Sequence, residues 1–198
     1  MRPPAGVVIP IRGFSGGKSR LSGFGQRDWL VAEMATRVLA AAHPLPVAVV
    51  TSAQEARAWA ASSGATVLDD PGTLDRAALV GLEWVRSLGL PRAVIAHADL
   101  PLARSLEDLA RDRGRPIVAA VPCHHDDGTP VLSVPAAAAF RFAYGPGSFR
   151  RHAAEAHRLG LGFRAVRNPA LAHDVDAAED LVGLGLLAPD LRPASALG

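Results

Sequence analysis

Short apolar runs rich in valine and isoleucine alternate with longer amphipathic segments along this chain, and this alternation most constrains its fold. Five of the runs predict strands, and the segments between them have the spacing of apolar residues that is typical of helices. The predicted strands are Val7–Ile11, Val47–Thr51, Thr66–Leu68, Ala93–Ala96 and Ile117–Val121, and the predicted helices are Gln26–Ala42, Gln54–Ser63, Leu74–Leu88 and Leu106–Arg113. Such an alternation predicts an α/β fold of the Rossmann-like class, with a mostly parallel sheet and helices on both faces.

The last third of the chain has a less regular pattern. We predict strands at Thr129–Val134 and Phe163–Val166, a helix that Ser148 caps and that runs to Leu159, and a last helix at Ala177–Leu187. With no internal repeat and no linker, residues 1–188 are predicted to form one domain. Residues 1–115 would be its nucleotide-binding half, residues 116–188 its second, substrate-binding half, and residues 189–198 a loose tail.

Composition narrows the class of protein. The 198 residues are 49% apolar and 20% charged, which is ordinary for a globular chain, and the net charge is +2. The basic residues are scattered among acidic ones, so we expect no nucleic-acid partner. The single cysteine, Cys123, can form no internal disulfide, and a strand begins too early for a signal peptide. No apolar run has the length of a membrane span, so we expect a cytoplasmic protein without a membrane partner.

A basic, glycine-rich loop follows the first strand, in the stretch VVIPIRGFSGGKSRL. It holds Arg12, Lys18 and Arg20, and Lys18 is the only lysine of the chain. Three cations in such a loop suggest a clamp for a polyphosphate; the alternative is a basic loop that only faces solvent. The loop is not a P-loop, because Arg12 stands where that motif requires glycine.

Carboxylates follow the predicted strands at the edge where ligands of α/β sheets bind. Asp99 and Asp70 come after strands, and Asp174 and Asp176 alternate with Val175, so that in extended chain both point to one side. We predict that Asp99, Asp174 and Asp176 hold one or two Mg²⁺ ions, since Mg²⁺ prefers oxygen ligands. Asp176 can instead be a helix cap.

The second half offers uncharged hydrogen-bond donors. Gly128-Thr129 and the Gly145–Ser148 turn supply backbone N–H groups and hydroxyls, and either can be a site for an anion or only a turn. For the stretch Cys123–Asp126 we favour a solvated polar loop over a metal site, because adjacent residues cannot all converge on one ion. His97 either orients Asp99 or a phosphate, or packs in the core.

The motifs IPIRGFSGGKSRL, HADLPL, DGT, YGPGSFRRHAAEA and HDVDAAEDL occur in this order over nearly the whole chain. Together they resemble guanylyltransferases of the CofC/FbiD type, which act in the biosynthesis of a deazaflavin coenzyme. The resemblance implies a single-domain GT-A/MobA-like nucleotidyltransferase fold. It also implies transfer of GMP from GTP to phosphoenolpyruvate or 2-phospho-L-lactate, with release of pyrophosphate and delivery of the product to a downstream deazaflavin transferase.

The resemblance also implies roles for individual residues. Lys18 and Asp99 would be catalytic. The phosphoacid would be bound by Thr129, Gly145 and Ser148, the metal by Asp99, Asp174 and Asp176, and the nucleotide by Arg12, Lys18, Arg20 and Asp75.

Three positions depart from the family pattern. Arg12 stands where lysine is usual after the first strand, Thr73-Leu74-Asp75 replaces a Gly-Leu-Asn stretch, and Pro130 replaces the asparagine after Gly-Thr. Pro130 has no N–H, which removes one donor near the phosphoacid. These departures leave open the choice of nucleotide and of phosphoacid, including 3-phosphoglycerate. Two other functions also remain open: a nucleotidyltransferase that uses CTP or a sugar phosphate, and a non-catalytic nucleotide sensor.

Overall fold

A computed structural model of the chain describes residues 3–14, 27–111, 114–124 and 126–175. The strands are β1 (Gly6–Pro10), β2 (Val47–Val50), β3 (Thr66–Leu68), β4 (Arg92–Ala96), β5 (Ile117–Val121), β6 (Val131–Pro135) and β7 (Gly162–Ala165). The helices are α1 (Arg27–Ala42), α2 (Gln54–Ser62), α3 (Leu74–Ser87), α4 (Glu107–Ala110), α5 (Ser148–Arg158) and α6 (Pro169–Ala172). The predicted helix at Ala177–Leu187 and the predicted tail lie outside the described residues.

The described strands form one seven-stranded sheet in the order β3-β2-β1-β4-β6-β5-β7. All of its strand pairs are parallel except the two that β6 makes with β4 and β5. The predicted α/β class with a mostly parallel sheet is therefore confirmed. A reversed strand in the middle of the sheet was not predicted, and neither was the short helix α6.

The core lies in two layers, one on each face of the sheet. On one face, Val7 and Ile9 pack with α1, α2, α4 and α6, and on the other, Val8 packs with α3 and α5. Consecutive residues of β1 thus face opposite layers, as the period of a strand requires. Because both faces are covered, a ligand reaches the sheet at its edges.

Helix α3 lies very close to β1, and Gly81 makes this possible. A methyl group at Gly81 would lie 2.6 Å from Val8 Cγ2.

We expect Gly81→Ala to lower the free energy of unfolding by about 1–3 kcal/mol, because overpacking outweighs the better helix propensity of alanine. Chemical denaturation of Gly81→Ala, Val8→Ala and the double variant measures this effect. The double variant should lose less than the sum of the two single losses, since removing the Val8 methyls makes room. Wild-type stability for Gly81→Ala would contradict the close packing.

Candidate active site

A cavity of about 380 Å³ opens at the edge where the parallel strands end. Its walls come from the segments that follow β1, β3 and β4, together with the residues after α6. The polar side chains among its lining residues are Arg12, Asp70, Thr73, His97, Asp99 and Asp174. Ligands of open α/β sheets bind at this edge. The structure therefore brings Arg12, Asp99 and Asp174 of the predicted site together at one cavity.

The start of the basic loop is anchored on α2. The Phe14 N–H donates to Glu55 Oε1 at 3.3 Å, and the Phe14 ring meets the Trp59 ring edge-on at a centroid distance of 5.5 Å. Arg12, two residues before Phe14, is exposed and lines the cavity. Lys18 and Arg20 lie outside the described residues, so their part in the predicted clamp stays a prediction.

Asp99 and Asp174 line the same cavity although they are far apart in the chain. The Val175 N–H donates to the Asp99 carbonyl oxygen at 3.1 Å and so joins the two segments. His124 lies beside them, with its Nδ1 atom 3.7 Å from Asp174 Oδ1. The main-chain bond from Val175 to Asp99 keeps Asp99 and Asp174 close together at this cavity, whatever their side chains bind.

Both carboxylates are oxygen ligands of the kind that Mg²⁺ takes, and the metal site at Asp99 and Asp174 stays a prediction. Mg²⁺ takes few protein ligands and completes its shell with water and substrate phosphates. Within residues 3–14, 27–111, 114–124 and 126–175, no group of three or more His, Cys, Asp or Glu side chains is arranged to hold a metal. Asp176, the predicted third carboxylate, lies outside the described residues. The donor set therefore suits an ion shared with a phosphate ligand.

Asp75 does not line the cavity, although the sequence assigns it to the nucleotide. Its Oδ1 atom accepts a hydrogen bond of 2.7 Å from the Tyr144 N–H. Thr73 caps the same helix by accepting from the Arg76 N–H at 3.3 Å. The Asp75 carboxylate thus ties the first turn of α3 to the segment before α5, and its predicted part in nucleotide binding stays a prediction.

Thr129, Ser148 and His152 form a buried group, here called the hydroxyl cluster. The two hydroxyl oxygens are 3.1 Å apart, and His152 Nδ1 lies 3.2 Å from Thr129 Oγ1. All three side chains have lost nearly all contact with solvent. The predicted pairing of Thr129 with Ser148 in one site is present, whereas the predicted capping of α5 by Ser148 is wrong. The N-cap is Gly147, at φ 75°, and the Ser148 hydroxyl bonds to Thr129 instead.

Arg151 fixes the turn that leads into this cluster. Its guanidinium donates to the carbonyl oxygens of Ala143 at 2.9 Å and Tyr144 at 3.0 Å, and also to that of Pro146. Gly145, at φ 96°, adopts a left-handed conformation that residues with a side chain rarely take. The predicted site residue Gly145 is therefore held in place by a side chain from the first turns of α5.

His97 connects the cavity with the hydroxyl cluster. It lines the cavity, and its backbone N–H donates to the Pro130 carbonyl oxygen at 2.9 Å. The centroid of its ring lies 5.6 Å from that of the Tyr144 ring. The Tyr144 ring in turn packs edge-on against His152 at 4.9 Å. Among the described residues, His97 Nε2 and the Tyr144 hydroxyl are hidden from solvent without a hydrogen-bond partner. A buried polar atom left unpaired is costly, so both atoms would gain from a hydrogen-bond partner.

The reversed direction of β6 brings Thr129 to this edge of the sheet. Ala96 at the end of β4 pairs with Val131 at the start of β6. Residues that precede β6 therefore lie beside residues that follow β4. The same arrangement buries Cys123, whose Sγ accepts from the Gly128 N–H at 3.0 Å. The predicted solvated loop is correct for the exposed His124 and Asp126 but wrong for Cys123.

His152, Tyr144 and Arg151 were not singled out from the sequence. All three lie in the motif YGPGSFRRH, around the predicted Gly145 and Ser148. Burial lowers the pKa of His152 to about 4, with smaller contributions from Arg151 and His97. Burial, with the nearby Asp75 carboxylate, also raises the pKa of Tyr144. Both side chains are thus neutral at physiological pH.

The model of the family described as "Guanylyl transferase CofC like" matches residues 5–190. The chain belongs to this family. A phosphoenolpyruvate guanylyltransferase of Roseiflexus castenholzii is 33% identical over 187 residues, covering 90% of this chain and 86% of that protein. One from Sphaerobacter thermophilus is 32% identical and covers 92% of this chain and 93% of that protein. A 3-phospho-D-glycerate guanylyltransferase of Phenylobacterium zucineum is 31% identical, covering 90% of this chain and 88% of that protein.

Solved structures agree with the fold of this CofC-like chain. A protein of Desulfovibrio desulfuricans described as a nucleotide-diphospho-sugar transferase superposes with a TM-score of 0.74 at 14% identity, covering 92% of this chain and 87% of that one. A cytidylyltransferase of Leptospira borgpetersenii superposes with a TM-score of 0.60 at 16% identity, covering 96% of this chain and 90% of that one. At such low identity these likenesses show the nucleotidyltransferase fold alone. None of the helices in the described part of the CofC-like chain is long and apolar enough to cross a membrane.

The neutral state of His152 predicts a pH dependence of stability. Its pKa in the folded state, about 4, is below its usual value of 6.5. The unfolded chain therefore binds the proton first as the pH falls, and stability is lost between pH 6.5 and pH 4. Charged and titratable neighbours of the ring are Arg151, His97 and Tyr144. Between pH 7 and pH 4, we expect the free energy of unfolding to fall by about 3 kcal/mol more in the wild type than in His152→Gln.

Urea denaturation of both proteins at several pH values measures this difference. Because the other titrating groups are common to the two proteins, subtraction of the two curves isolates His152. Parallel curves would contradict the assignment of a buried neutral histidine.

Proposed function

We propose that this chain transfers GMP from GTP to the phosphate of phosphoenolpyruvate or 2-phospho-L-lactate and releases pyrophosphate. The observation that carries the proposal is the placement of Arg12, Asp99 and Asp174 around one cavity, with the hydroxyl cluster next to it beyond His97. The names of the relatives support the choice of nucleotide and acceptor. The product would pass to a downstream transferase in the biosynthesis of a deazaflavin coenzyme.

The reaction is an in-line displacement at the α-phosphorus of GTP. An oxygen of the acceptor phosphate forms the new P–O bond, and the bond from the α-phosphorus to the bridging oxygen breaks as pyrophosphate leaves with that oxygen. A phosphate dianion needs no general base, so the protein has to position two anions and offset their repulsion. Such positioning requires charged and polar groups on both sides of the reacting atoms, as the cavity and the hydroxyl cluster provide.

The residues of the candidate site divide this task. Arg12, with Lys18 and Arg20 from the predicted clamp, stabilises the negative charge of the departing pyrophosphate. Asp99 and Asp174, with the predicted Asp176, would hold Mg²⁺, which supplies positive charge to the α-phosphate and the acceptor when it is bound. On the other side, Thr129, Ser148 and the turn at Gly145 offer neutral donors to the acceptor carboxylate.

An assay of pyrophosphate release tests the proposed function. GTP, CTP, ATP and UTP are each combined with phosphoenolpyruvate, 2-phospho-L-lactate, 3-phospho-D-glycerate or a sugar phosphate, with Mg²⁺ or with a chelator. We expect release only with GTP, one phosphoacid and Mg²⁺. Release with CTP or a sugar phosphate would overturn the choice of substrates. Binding of GTP without any release would indicate a nucleotide sensor.

Ser148→Ala separates the acceptor from the nucleotide. The variant removes a hydroxyl donor to an anion, and such a hydrogen bond is worth roughly a factor of ten in affinity. We therefore expect KM for the phosphoacid to rise about tenfold, while KM for GTP stays within about twofold. Ser87→Ala, an exposed serine at the end of α3, is the matched control and should behave as wild type. An effect confined to KM for GTP would contradict this role of Ser148.

A further inference from the structure

We propose that His152 is a positioning residue for the acceptor. It orients the hydroxyls of Thr129 and Ser148 so that one hydroxyl hydrogen of the pair is left for an anionic group of the phosphoacid. The inference deepens the proposed function and rests on it for the identity of the ligand.

The main chain decides which nitrogen of the His152 ring carries the proton. The Ala143 N–H points at His152 Nε2, with a nitrogen–nitrogen distance of 3.1 Å. A backbone N–H can only donate, so Nε2 must present its lone pair. The ring of a neutral histidine carries one proton, which therefore lies on Nδ1. The main chain of the segment before α5 thereby selects the tautomer of a side chain within α5.

The proton on Nδ1 determines how the two hydroxyls share their hydrogens. Nδ1–H donates to Thr129 Oγ1, 3.2 Å away, and Thr129 Oγ1 is 3.1 Å from Ser148 Oγ. One hydrogen lies between the two oxygens, and it belongs to one of the two hydroxyls. Each hydroxyl carries one hydrogen, so the other hydroxyl keeps its hydrogen for a further acceptor. The histidine proton is what prevents Thr129 from turning its own hydrogen back towards the ring.

The remaining hydroxyl hydrogen has little access to bulk water as an acceptor, since Thr129 is 2% exposed and Ser148 is 1% exposed. Within the part of the chain that the structure describes, neither hydroxyl has a bond to a carboxylate or to a backbone carbonyl. A buried donor without an acceptor is unfavourable. The oxygen atoms of a carboxylate or phosphate only accept hydrogen bonds, and they suit this donor.

Two amide variants of His152 separate the two hydrogen bonds of its ring. In His152→Asn, the side-chain nitrogen can reach the position of Nδ1 and still donate to Thr129, while the Ala143 N–H loses its partner. In His152→Gln, the side-chain oxygen can reach the position of Nε2 and still accept from Ala143, while Thr129 loses its donor. Both variants remove the ring and its packing against Tyr144, so each serves as the control for the other.

The affinity for phosphoenolpyruvate, measured by calorimetry, and the kinetic constants of both variants test the proposal. We expect His152→Gln to weaken phosphoenolpyruvate binding and raise its KM about tenfold, and His152→Asn to change them less than about threefold. KM for GTP should stay within about twofold in both. Equal effects of the two variants, or no effect of either, would show a purely structural role and overturn the proposal.

A further measurement reads the tautomer in the wild-type protein itself and needs a variant only to assign the signal. Nitrogen NMR of histidine-labelled protein at pH 7 distinguishes the two neutral tautomers, and the His152 signal is the one missing in His152→Gln. We expect the proton on Nδ1; a proton on Nε2 would overturn the proposal. Phosphoenolpyruvate binding without pyrophosphate release would refute the proposed function and leave this inference standing. A wild-type protein that does not bind phosphoenolpyruvate would refute the inference.

Discussion

Asp99→Ala should lower the rate of acceptor-dependent pyrophosphate release at least about a hundredfold, as the loss of an electrostatic stabiliser does in other enzymes. The side chain lines the cavity directly after β4, where it would hold Mg²⁺ against the α-phosphate. The Asp99 carbonyl oxygen accepts from the Val175 N–H, and this main-chain bond does not depend on the Asp99 side chain. Removing the carboxylate therefore keeps the bond that joins the two segments.

Steady-state kinetics at saturating GTP and phosphoacid measure this loss. Asp69→Ala is the matched control, because Asp69 follows β3 at the same edge of the sheet but pairs with Arg57 at its exposed surface. This control should keep nearly the wild-type rate. Near-normal turnover by Asp99→Ala would remove Asp99 from the catalytic residues.

Lys18→Ala is expected to cost at least about a hundredfold in the same assay. The expectation rests on the sequence and on the placement of Arg12 at the cavity, since Lys18 itself lies outside the described residues. An ammonium group can approach the leaving pyrophosphate as a compact point charge, and its removal leaves developing charge without a partner. Lys18→Arg is the control that keeps the charge, and it should retain more activity than the alanine variant.

The lysine content of the chain offers a second measurement of the same prediction. Lys18 is the only lysine, so an amine-directed reagent can modify only this side chain and the chain terminus. Mass spectrometry of the modified protein should show that GTP protects Lys18, whereas phosphoenolpyruvate alone does not. If GTP gives no protection and Lys18→Ala turns over normally, the loop is only a basic surface.

Local sequence patterns were sufficient for most of the fold. Alternation within β1 places Val7 and Val8 on opposite faces, and the spacing within α3 identifies its buried side. These features depend on neighbouring residues only. The direction of β6 follows from its antiparallel pairing with β5 across a connection too short for a parallel crossover, and the pattern within Thr129–Val134 does not show this pairing. Helix α6 escaped prediction because four residues give too short a period to detect.

One rule was enough to bring distant residues of the candidate site together. Arg12 and Asp99 follow parallel strands, and the carboxyl ends of parallel strands share an edge. The rule says nothing of residues in the middle of a helix, so His152 was missed. Asp75 makes a contact that was not predicted, for a related reason. Its partner is the backbone of Tyr144, and a backbone group leaves no trace in the sequence.

The reversal of β6 makes residues 122–130 the loop of a hairpin, since β5 and β6 are adjacent and antiparallel. A hairpin loop can be replaced at its two ends without moving the rest of a sheet. Arg12 and Asp99 follow β1 and β4, on connections of the chain that are separate from this loop. We therefore expect that grafting this loop together with the Gly145–Ser148 turn between relatives would change which acid is accepted while the nucleotide stays the same. In such a design, the residues that set the acceptor preference are exchanged while those that bind the nucleotide stay in place.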